Sequence, residues 1–265
     1  MFPGASTDRD DADYVTVGAP LDVSTSFRPG ARFGPDRVRR FARGFEDYRR
    51  EYDVRFSDLA VHDHGDVRAW DDAPEYLDYL GGVLTDVARD GAVPLLVGGE
   101  HTVTVAALRA LDPDVAVVVD AHLDLRESYD GNPYSHATVT RHALDVADEA
   151  VVLGARSGSE AEWERAEAAD VTVVPPAEVS DWTPAVGGDA YLSVDVDAAD
   201  PAVAPGTGTP EPFGLDAAAI RSVVRAVAPH AVGFDVVEVN DRDHGEAAVL
   251  AAKLLREFVF AHATA

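Results

Sequence analysis

Short apolar runs alternate with longer amphipathic stretches along most of the chain. The runs are rich in β-branched residues and apolar on both faces, which is typical of buried parallel strands. They lie at Tyr14–Val17, Val93–Val97, Val115–Val119, Ala150–Leu153, Val171–Val174, Ala190–Val196 and Ala231–Val239. Helices are predicted at Pro35–Arg43, Pro74–Arg89, Thr102–Leu111, His136–Ala147, Glu160–Ala168, Leu215–Val227 and Gly245–His262. Because strands that alternate with helices indicate βαβ units, we predict an α/β fold with a parallel sheet and one domain over residues 1–265.

Three irregular segments between these elements are long. They cover Leu21–Gly34, Leu125–Ser135 and Ala198–Phe213. Loops of this length in a compact domain often carry function. Ligands of open parallel sheets bind at the carboxyl ends of the strands, so the residues that follow each apolar run are the candidates for a site. The acidic stretch at residues 1–13 precedes the first strand, and we expect it to be loosely ordered.

Side chains of the kinds that bind metals follow three of the predicted strands. Residues i and i+2 of an extended segment point to the same side, roughly 6–7 Å apart at Cα, so each group converges locally. The candidates are His101 after one strand, Asp120, His122 and Asp124 after the next, and Asp195 and Asp197 after a third. Six such ligands exceed the usual needs of one ion and suit two divalent ions about 3.5–4 Å apart. The oxygen and nitrogen donors, without sulfur, favour manganese-like ions over structural zinc.

Each group on its own has a simpler interpretation. An isolated Asp-x-Asp in an Asp-rich chain is usually a solvated face or a turn, and His101 alone could begin a helix. The Asp-x-His-x-Asp string is harder to explain in this way, because it directly follows a valine-rich run and burial of unpaired polar groups is costly. The His62-Asp63-His64 string also resembles a metal motif, but it follows no long apolar strand, and we interpret it as structural.

Six strings of the chain are similar to those of the ureohydrolases, the family of arginase, agmatinase and their relatives. Five are Gly98-Gly99-Glu100-His101, Asp120-Ala121-His122-Leu123-Asp124, Asp235-Val236-Val237-Glu238-Val239-Asn240, Arg28-Pro29-Gly30-Ala31-Arg32-Phe33-Gly34-Pro35 and Ser135-His136-Ala137. The sixth is Ser193-Val194-Asp195-Val196-Asp197-Ala198-Ala199-Asp200-Pro201, followed by Ala204-Pro205-Gly206-Thr207-Gly208-Thr209-Pro210-Glu211. The similarity runs from about Val15 to Val259. The strings that begin at Arg28 and Ser135 resemble the agmatinase branch.

The resemblance implies a three-layer α/β/α sandwich around a mostly parallel sheet, as in arginase. It also implies two manganese ions per chain and a homo-oligomer, a trimer or a hexamer. One ion would be held by His101, Asp120, Asp124 and Asp195, and the other by Asp120, His122, Asp195 and Asp197. Asp120 and Asp195 would then bridge the two ions, and no ligand of the family's set is missing.

The reaction that the resemblance implies is hydrolysis of a guanidinium group to urea and an amine by a metal-bridging hydroxide. Metal binding can lower the pKa of water from ~15.7 to ~7, which makes such a nucleophile accessible at neutral pH. Asp124 would take a proton from the nucleophile and give it to the leaving amine. His136 would exchange protons with solvent, since only histidine titrates unaided near pH 7. Glu238 would hold the substrate guanidinium through its two acceptor oxygens.

Two of these residues have simpler interpretations on sequence alone. His136 could be the first residue of a surface helix, and Glu238 could form a structural ion pair with an arginine. A non-catalytic relative is a further alternative, although such proteins usually lose ligands. A deacetylase-like amide hydrolase would be expected to use a single catalytic zinc with fewer ligands.

The segment Leu125–Tyr134 bears on the substrate. It lacks the Asn/Thr/Ser-rich string with which arginases bind the α-carboxylate of their substrate, and Glu127 and Asp130 would repel a carboxylate. A small cationic guanidino substrate therefore suits the segment better, which favours agmatine, cleaved to putrescine and urea. Guanidinobutyrate, arginine and formiminoglutamate remain alternatives, because Arg126 could bind a carboxylate tail.

Composition and charge exclude other classes of function. With 22 basic and 48 acidic residues the formal net charge is −26, which argues against binding to nucleic acid or to anionic membranes. No apolar run approaches the ~18 residues of a membrane span, and no signal peptide is evident, so we expect a cytoplasmic protein. Lys253 is the only lysine, and 33 of the acids are Asp, which resembles the surfaces of proteins from salt-accumulating halophiles such as halophilic archaea. Cysteine is absent, which excludes disulfides and thiolate metal sites.

Overall fold

Eight parallel strands form the central sheet of this computed structural model, which describes residues 2–185 and 187–265. The strands of the sheet and of a separate hairpin are numbered together in chain order. They are β1 (Tyr14–Ala19), β2 (Tyr48–Arg49), β3 (Val54–Arg55), β4 (Val61–Asp66), β5 (Val93–Gly98), β6 (Val115–Val119), β7 (Glu149–Leu153), β8 (Val171–Val174), β9 (Ala190–Asp195) and β10 (Ala231–Val237). The order in the sheet is β4-β1-β5-β10-β9-β6-β7-β8, and every neighbouring pair is parallel. Strands β2 and β3 form a separate antiparallel hairpin.

Helices cover both faces of the sheet. They are α1 (Gly34–Phe41), α2 (Ala73–Arg89), α3 (Thr104–Leu111), α4 (Val139–Ala143), α5 (Glu160–Ala166), α6 (Ala217–Val227) and α7 (Glu246–Ala263). Helices α1, α6 and α7 share one apolar cluster, α2, α3 and α4 share another, and α5 packs against β8. This is the predicted three-layer α/β/α sandwich. Within the described residues, no helix is both long and apolar enough to cross a membrane.

Strand β5 shows how the two faces of the sheet are filled. Leu95 and Val97 belong to the cluster on the α7 side, whereas Leu96 belongs to the cluster on the α2 side, and all three are fully buried or nearly so. Successive side chains of a strand point to opposite faces, so a strand that is buried on both faces must be apolar throughout. This is why the continuous apolar runs identified the central strands.

The edge strand β4 was missed by the sequence analysis. Its sequence is polar at His62, Asp63, His64 and Asp66, because one face of an edge strand lies in solvent and the buried Asp63 is paired rather than apolar. Arg39 of α1 donates to Asp63 from Nε at 2.9 Å and from Nη2 at 2.9 Å. The search for apolar residues could not identify this strand, because Asp63, one of its buried side chains, is charged.

Two other expectations differ from the structure. The predicted helix His136–Ala147 is a 3-10 turn at His136–Thr138 followed by the short helix α4, and residues 144–147 form turns. The acidic N-terminal segment was expected to be loosely ordered, but Phe2 is buried against Phe56, and Ser6 forms a bridge with His62 of β4. A buried phenylalanine at its start holds the segment in place despite its charge.

The buried pair of Arg39 and Asp63 leads to a prediction about stability. We expect Asp63→Asn to lower the free energy of unfolding by about 3 kcal/mol, since it leaves the buried guanidinium with only the partly exposed carboxylate of Asp66 as an ionic partner. The matched control is Asp90→Asn, which removes the partner of Arg9 at a solvent-exposed pair and should cost less than about 1 kcal/mol. Urea unfolding of both variants measures the two values, and equal losses would contradict the prediction.

The same pair should make stability depend on pH. Burial raises the pKa of Asp63, but the guanidinium of Arg39 outweighs that effect, and the pKa lies below its usual value. The folded protein therefore releases this proton more readily than the unfolded chain. The resulting stabilisation is complete above about pH 4, where the unfolded carboxyl is ionised, and is lost as the pH falls through the lower folded pKa.

Candidate active site

The side chains predicted to bind metal converge at the carboxyl ends of neighbouring strands. Strands β5, β10, β9 and β6 are adjacent in the centre of the sheet. His101 follows β5, the Asp120–Asp124 string follows β6, and Asp195 ends β9. Glu238 follows β10, which lies between β5 and β9. The site therefore draws its residues from the four central strands.

His101 is the centre of one half of the cluster. Its Nδ1 lies 3.1 Å from Oδ2 of Asp120, 3.0 Å from Oδ2 of Asp124 and 3.8 Å from Oδ2 of Asp195. All four side chains are buried. The structure thus brings together the four residues that the resemblance assigns to one ion.

His122 is the centre of the other half. Its Nδ1 lies 3.1 Å from Oδ2 of Asp197 and 3.5 Å from Oδ1 of Asp120. Asp120 therefore contributes one oxygen to each half, which is the arrangement expected of a residue that bridges two ions. Five of the six predicted ligands form two groups, His101-Asp120-Asp124 and Asp120-His122-Asp197, in each of which the ligand atoms lie within 4.8 Å of one another. The sixth, Asp195, adjoins the first group through its contact with His101.

The chemistry of this donor set suits divalent cations. Oδ2 of Asp120 is buried and has no hydrogen-bond partner among the described residues. Burial, and next the charge of Asp120, raise the pKa of Asp124 to about 7. Burial and the neighbouring carboxylates also raise the pKa of Asp195 well above its usual value. A cation between these oxygens would relieve both the repulsion and the unpaired acceptor.

Backbone amides orient the carboxylates within the cluster. The N–H of His122 donates to Oδ1 of Asp120 at 2.7 Å, and the N–H of Asp197 donates to Oδ1 of Asp195 at 2.8 Å. The hydroxyl of Thr209 donates to Oδ2 of Asp197 at 2.8 Å. These bonds fix the orientation of the three carboxylates, so their oxygens are positioned before any cation binds.

Two residues of the site have left-handed backbone conformations. Asp124 has φ of 50° and Glu238 has φ of 62°, a region that residues other than glycine seldom adopt. Such conformations are costly and persist where the surrounding structure holds them. The N–H of Glu238 donates to the carbonyl of Gly99 at 2.8 Å, and the carbonyl of Asp124 accepts from Arg141 N–H at 3.0 Å. Nothing in the sequence distinguished these two positions from ordinary strand ends.

The two glycines before Glu100 allow close packing at the strand end, with Leu21 against Gly99 and Val237 against Gly98. A Cβ at Gly99 would lie 1.9 Å from the carbonyl oxygen of Leu21, and a Cβ at Gly98 would lie 2.6 Å from Val237 Cγ1. Only glycine permits this approach, which places the loop Leu21–Gly34 beside the cluster.

Glu238 and His136 face each other at the edge of the cluster. Oε1 of Glu238 accepts from the backbone N–H of His101 at 2.8 Å and lies 3.9 Å from Nδ1 of His136. No arginine of the described residues forms an ion pair with Glu238. Burial, and next the charge of Glu100, raise the pKa of Glu238 well above its usual value. Burial, and next the imidazole of His122, lower the pKa of His136 to about 4.

A buried polar chain behind His101 was missed by the sequence analysis. Nε2 of His101 lies 3.0 Å from Oγ of Ser193, and this hydroxyl donates to Oδ1 of Asp235 at 2.6 Å. Oδ2 of Asp235 accepts from Thr104 at 2.7 Å and from Tyr191 at 2.7 Å. The chain fixes the orientation of the His101 ring, so that Nδ1 is directed at the carboxylates. A serine and an aspartate inside apolar strands were the signal that could have revealed it.

The cluster opens into a cavity of about 240 Å³. It is lined by Ser26, His122, Asp124, Arg126, Tyr129, His136, Ala137, Ser157, Gly158, Ser159, Glu162, Asp195 and Thr209. Of the segment Leu125–Tyr134, Arg126 and Tyr129 line the cavity, whereas Glu127 is exposed and pairs with Arg141. Beside Arg126, the cavity wall contains Glu162 of α5, whose Oε2 lies 3.2 Å from Nε of Arg126.

The His62-Asp63-His64 string lies outside this site, as predicted. His62 and His64 belong to β4 at the edge of the sheet. Nδ1 of His62 pairs with the carbonyl of Thr7 at 2.9 Å, so it helps to hold the N-terminal segment.

Comparison with known proteins identifies the family to which these strings belong. The family model described as "Arginase family" matches residues 12–261. The chain is 37% identical to the N(1)-aminopropylagmatine ureohydrolase of Thermococcus kodakarensis, with 92% of this chain and 88% of that protein covered. It is 34% identical to the agmatinase of Pyrococcus horikoshii, with 94% of this chain and 92% of that protein covered.

The fold agrees with that of a solved relative. The agmatine ureohydrolase of Thermoplasma volcanium superimposes with a TM-score of 0.94 and is 36% identical in sequence. The superposition covers 99% of this chain and 94% of the other. The match extends over the sheet, its helices and the loops that surround the cavity.

The cluster predicts that cations stabilise the fold. At a free concentration 100 times the dissociation constant, each bound Mn²⁺ should raise the free energy of unfolding by about 2.7 kcal/mol, because the ion binds the folded state only. A chelator should reverse the effect, and elemental analysis should find two ions per chain.

Asp120→Asn should abolish most of this stabilisation, since Asp120 contributes to both halves of the cluster. The matched control is Asp145→Asn, an exposed aspartate paired with Arg141. That variant should respond to Mn²⁺ as the wild type does. An equal response of both variants would show that the cation binds elsewhere.

Proposed function

The chain belongs to the arginase family, and from this premise we propose that it hydrolyses agmatine to putrescine and urea. The observation that carries the proposal is the convergence of the six-residue cluster, Glu238 and His136 at one edge of the sheet, beside the cavity that Asp124 and His136 line. Two similar proteins whose names contain agmatinase or aminopropylagmatine ureohydrolase support a guanidino substrate with a cationic tail.

We propose two manganese ions as the resident metals. One would be held by His101, Asp120, Asp124 and Asp195, and the other by Asp120, His122, Asp195 and Asp197. The absence of sulfur among these donors and the number of carboxylates support manganese over zinc. When bound, two divalent ions lower the pKa of a water from ~15.7 to ~7 and so supply a strong nucleophile at neutral pH.

Glu238 would hold the substrate guanidinium. One of its oxygens accepts from the His101 amide, so the other is free to accept N–H bonds from the substrate. The raised pKa of the buried Glu238 supports this role, because a cation is the partner that restores the charged form of a desolvated carboxylate. Its fixed backbone and its hydrogen bond to the strand end would place the guanidinium carbon next to the cluster.

Two protons must move during the reaction. A protonated guanidinium and water give urea and an alkylammonium, so both protons of the water end on the leaving nitrogen. The water oxygen forms the new bond to the carbon, and the bond from carbon to the leaving nitrogen breaks. We assign the first proton to Asp124, which lines the cavity within the cluster. We assign the second to His136, whose Nε2 contacts the hydroxyl of the exposed Ser26 and thereby solvent.

The wall of the cavity bears on the tail of the substrate. Glu162 is buried and accepts from Leu125 N–H at 3.3 Å and from Ser159 N–H at 2.8 Å, in addition to its ion pair with Arg126. Arg126 also lies over the ring of Tyr129, with its Cζ 5.4 Å from the ring centroid. The charge of Arg126 is thus largely balanced, which supports a cationic tail such as that of agmatine. A carboxylate tail, as in guanidinobutyrate, arginine or formiminoglutamate, would have to compete with Glu162 for Arg126.

We further propose that the enzyme is a cytoplasmic homo-oligomer, a trimer or a hexamer, adapted to high salt. Its few lysines and many aspartates support the adaptation to salt. Phe27 and Phe213 are 64% and 87% exposed, and large aromatic side chains are enriched at protein interfaces.

The substrate is tested by urea release from manganese-loaded protein in molar KCl. Agmatine, N(1)-aminopropylagmatine, arginine and guanidinobutyrate are assayed in parallel. We expect urea from the first two only, because both have cationic tails. Urea from a carboxylate-bearing substrate would overturn the proposed tail preference but not the metal chemistry. No urea from any of the four, with two ions bound, would overturn the proposed activity and favour formiminoglutamate or a non-catalytic relative.

Glu238→Gln tests the proposed binding of the guanidinium. The amide keeps the shape but loses the charge, and a hydrogen bond to a charged group contributes up to ~3 kcal/mol, so kcat/KM should fall about 100-fold. The metal content should remain at the wild-type value. Glu164→Gln, on the exposed surface of α5, is the control and should leave kcat/KM unchanged. Wild-type kinetics of Glu238→Gln would exclude the role.

A further inference from the structure

The loop Leu21–Gly34 is held beside the cavity by two buried carboxylates. Asp22 accepts from Thr25 Oγ1 at 2.9 Å, from Gly30 N–H at 2.9 Å and from Arg32 Nε at 3.1 Å. Glu100 holds the part of the loop nearer the site. Each carboxylate therefore holds a different part of the loop. Only Glu100 connects the loop to the residues proposed to react.

Glu100 is completely buried, and both of its oxygens are occupied. Oε2 accepts from the N–H groups of Val23 and Ser24, each at 2.7 Å. Oε1 accepts from the hydroxyl of Ser24 at 2.8 Å and from that of Thr102 at 2.8 Å. Three of these four donors belong to the loop, and with all four in place the carboxylate has no need of a cation, so its role differs from that of the neighbouring His101.

Ser24 connects Glu100 to His136. Its hydroxyl donates to Glu100 and accepts from the backbone N–H of His136 at 2.9 Å. Two residues further along the loop, the N–H of Ser26 lies 3.3 Å from Nε2 of His136, and the Ser26 hydroxyl lies 3.1 Å from the same atom. The loop thus holds both the backbone and the ring of His136.

This contact determines which ring nitrogen faces the reaction. Because the Ser26 N–H donates to Nε2, that nitrogen accepts, and the proton of the neutral ring is on Nδ1. Nδ1 is directed at Glu238, 3.9 Å from its Oε1. A ring held in this way presents its N–H to the cavity, where the leaving nitrogen of the substrate would lie.

We propose that Glu100 is a positioning residue for His136, acting through Ser24 and the loop rather than on the substrate. The proposal rests on the proposed function, since it assumes that His136 supplies a proton to the leaving amine. Loss of the carboxylate would free Ser24 and Ser26 and let the ring of His136 turn away from the leaving nitrogen. A displacement of about 1 Å in a catalytic group can cost up to about 100-fold in rate.

The experiment compares two variants with two matched controls on the same loop. Glu100→Gln and Ser24→Ala interrupt the connection to His136. Asp22→Asn and Thr25→Ala remove an equally buried carboxylate and the adjacent hydroxyl, neither of which contacts His136. With agmatine, we expect the first pair to lower kcat at least about ten-fold with KM within two-fold of the wild type. The controls should keep kcat within about two-fold, whatever their thermal stability.

Each substitution is also combined with His136→Asn in a double variant. These double variants distinguish an effect on the position of His136 from a general loss of structure. If Glu100 acts through His136, Ser24→Ala and Glu100→Gln should change kcat by less than about two-fold once His136 is absent, since coupled residues are not additive. Bound manganese is measured for every variant, because Glu100 adjoins His101. If Glu100→Gln does not fold, Ser24→Ala carries the test alone.

The outcomes are distinct. A ten-fold loss that persists in the His136→Asn background, or an equal loss in the controls, would overturn the positioning role while leaving the proposed activity intact. A loss of kcat in proportion to the loss of bound manganese would also overturn the positioning role. No urea from the wild-type protein would overturn the proposed function and this proposal with it.

Discussion

Mutual repulsion among four buried carboxylates is the constraint on which the rest of the site depends. Asp120, Asp124, Asp195 and Asp197 lie around only two imidazoles, and Oδ2 of Asp120 lacks a hydrogen-bond partner among the described residues. Such a group is stable only if cations or protons neutralise it, and burial together with the neighbouring carboxylates raises the pKa of Asp124 and of Asp195. Backbone amides and the chain from His101 to Asp235 hold the ligand atoms together against this repulsion. The same need for positive charge extends to Glu238, which the guanidinium of a substrate would satisfy.

The parallel sheet is what makes this concentration of charge possible. All its strands end at the same edge, and the four central ones each deliver one part of the site. The strands themselves are apolar on both faces, so the energy of burial comes from residues that take no part in the chemistry. The left-handed conformations of Asp124 and Glu238 are tolerated because this rigid frame holds the chain on both sides of each residue.

The loops around the cavity supply the residues proposed to move protons and to contact the tail of the substrate. The loop Leu21–Gly34 reaches the cluster because Gly99 has no side chain, and it then contacts His136 through two serines. On the other side, Glu162 of α5 balances Arg126. The residues proposed for proton transfer and tail recognition thus come from elements far apart in the chain, whereas the proposed metal ligands lie at the strand ends.

The sequence by itself determined the fold class and indicated the six candidate metal ligands. Apolar runs that alternate with amphipathic stretches specified the parallel sheet, and the i, i+2 spacing of Asp120, His122 and Asp124 placed three ligands on one side of the chain. His136 and Glu238 needed the resemblance to the ureohydrolases, since each had an ordinary structural interpretation. Only the tertiary structure decided that β10 lies between β5 and β9 and so brings Glu238 to His101. It alone revealed β4, the partnership of Glu162 with Arg126, and the links from Glu100 through Ser24 to His136. The reason is physical: local patterns encode the period and the buried face of an element, but which elements become neighbours, and which polar groups then pair, is decided by packing over the whole chain.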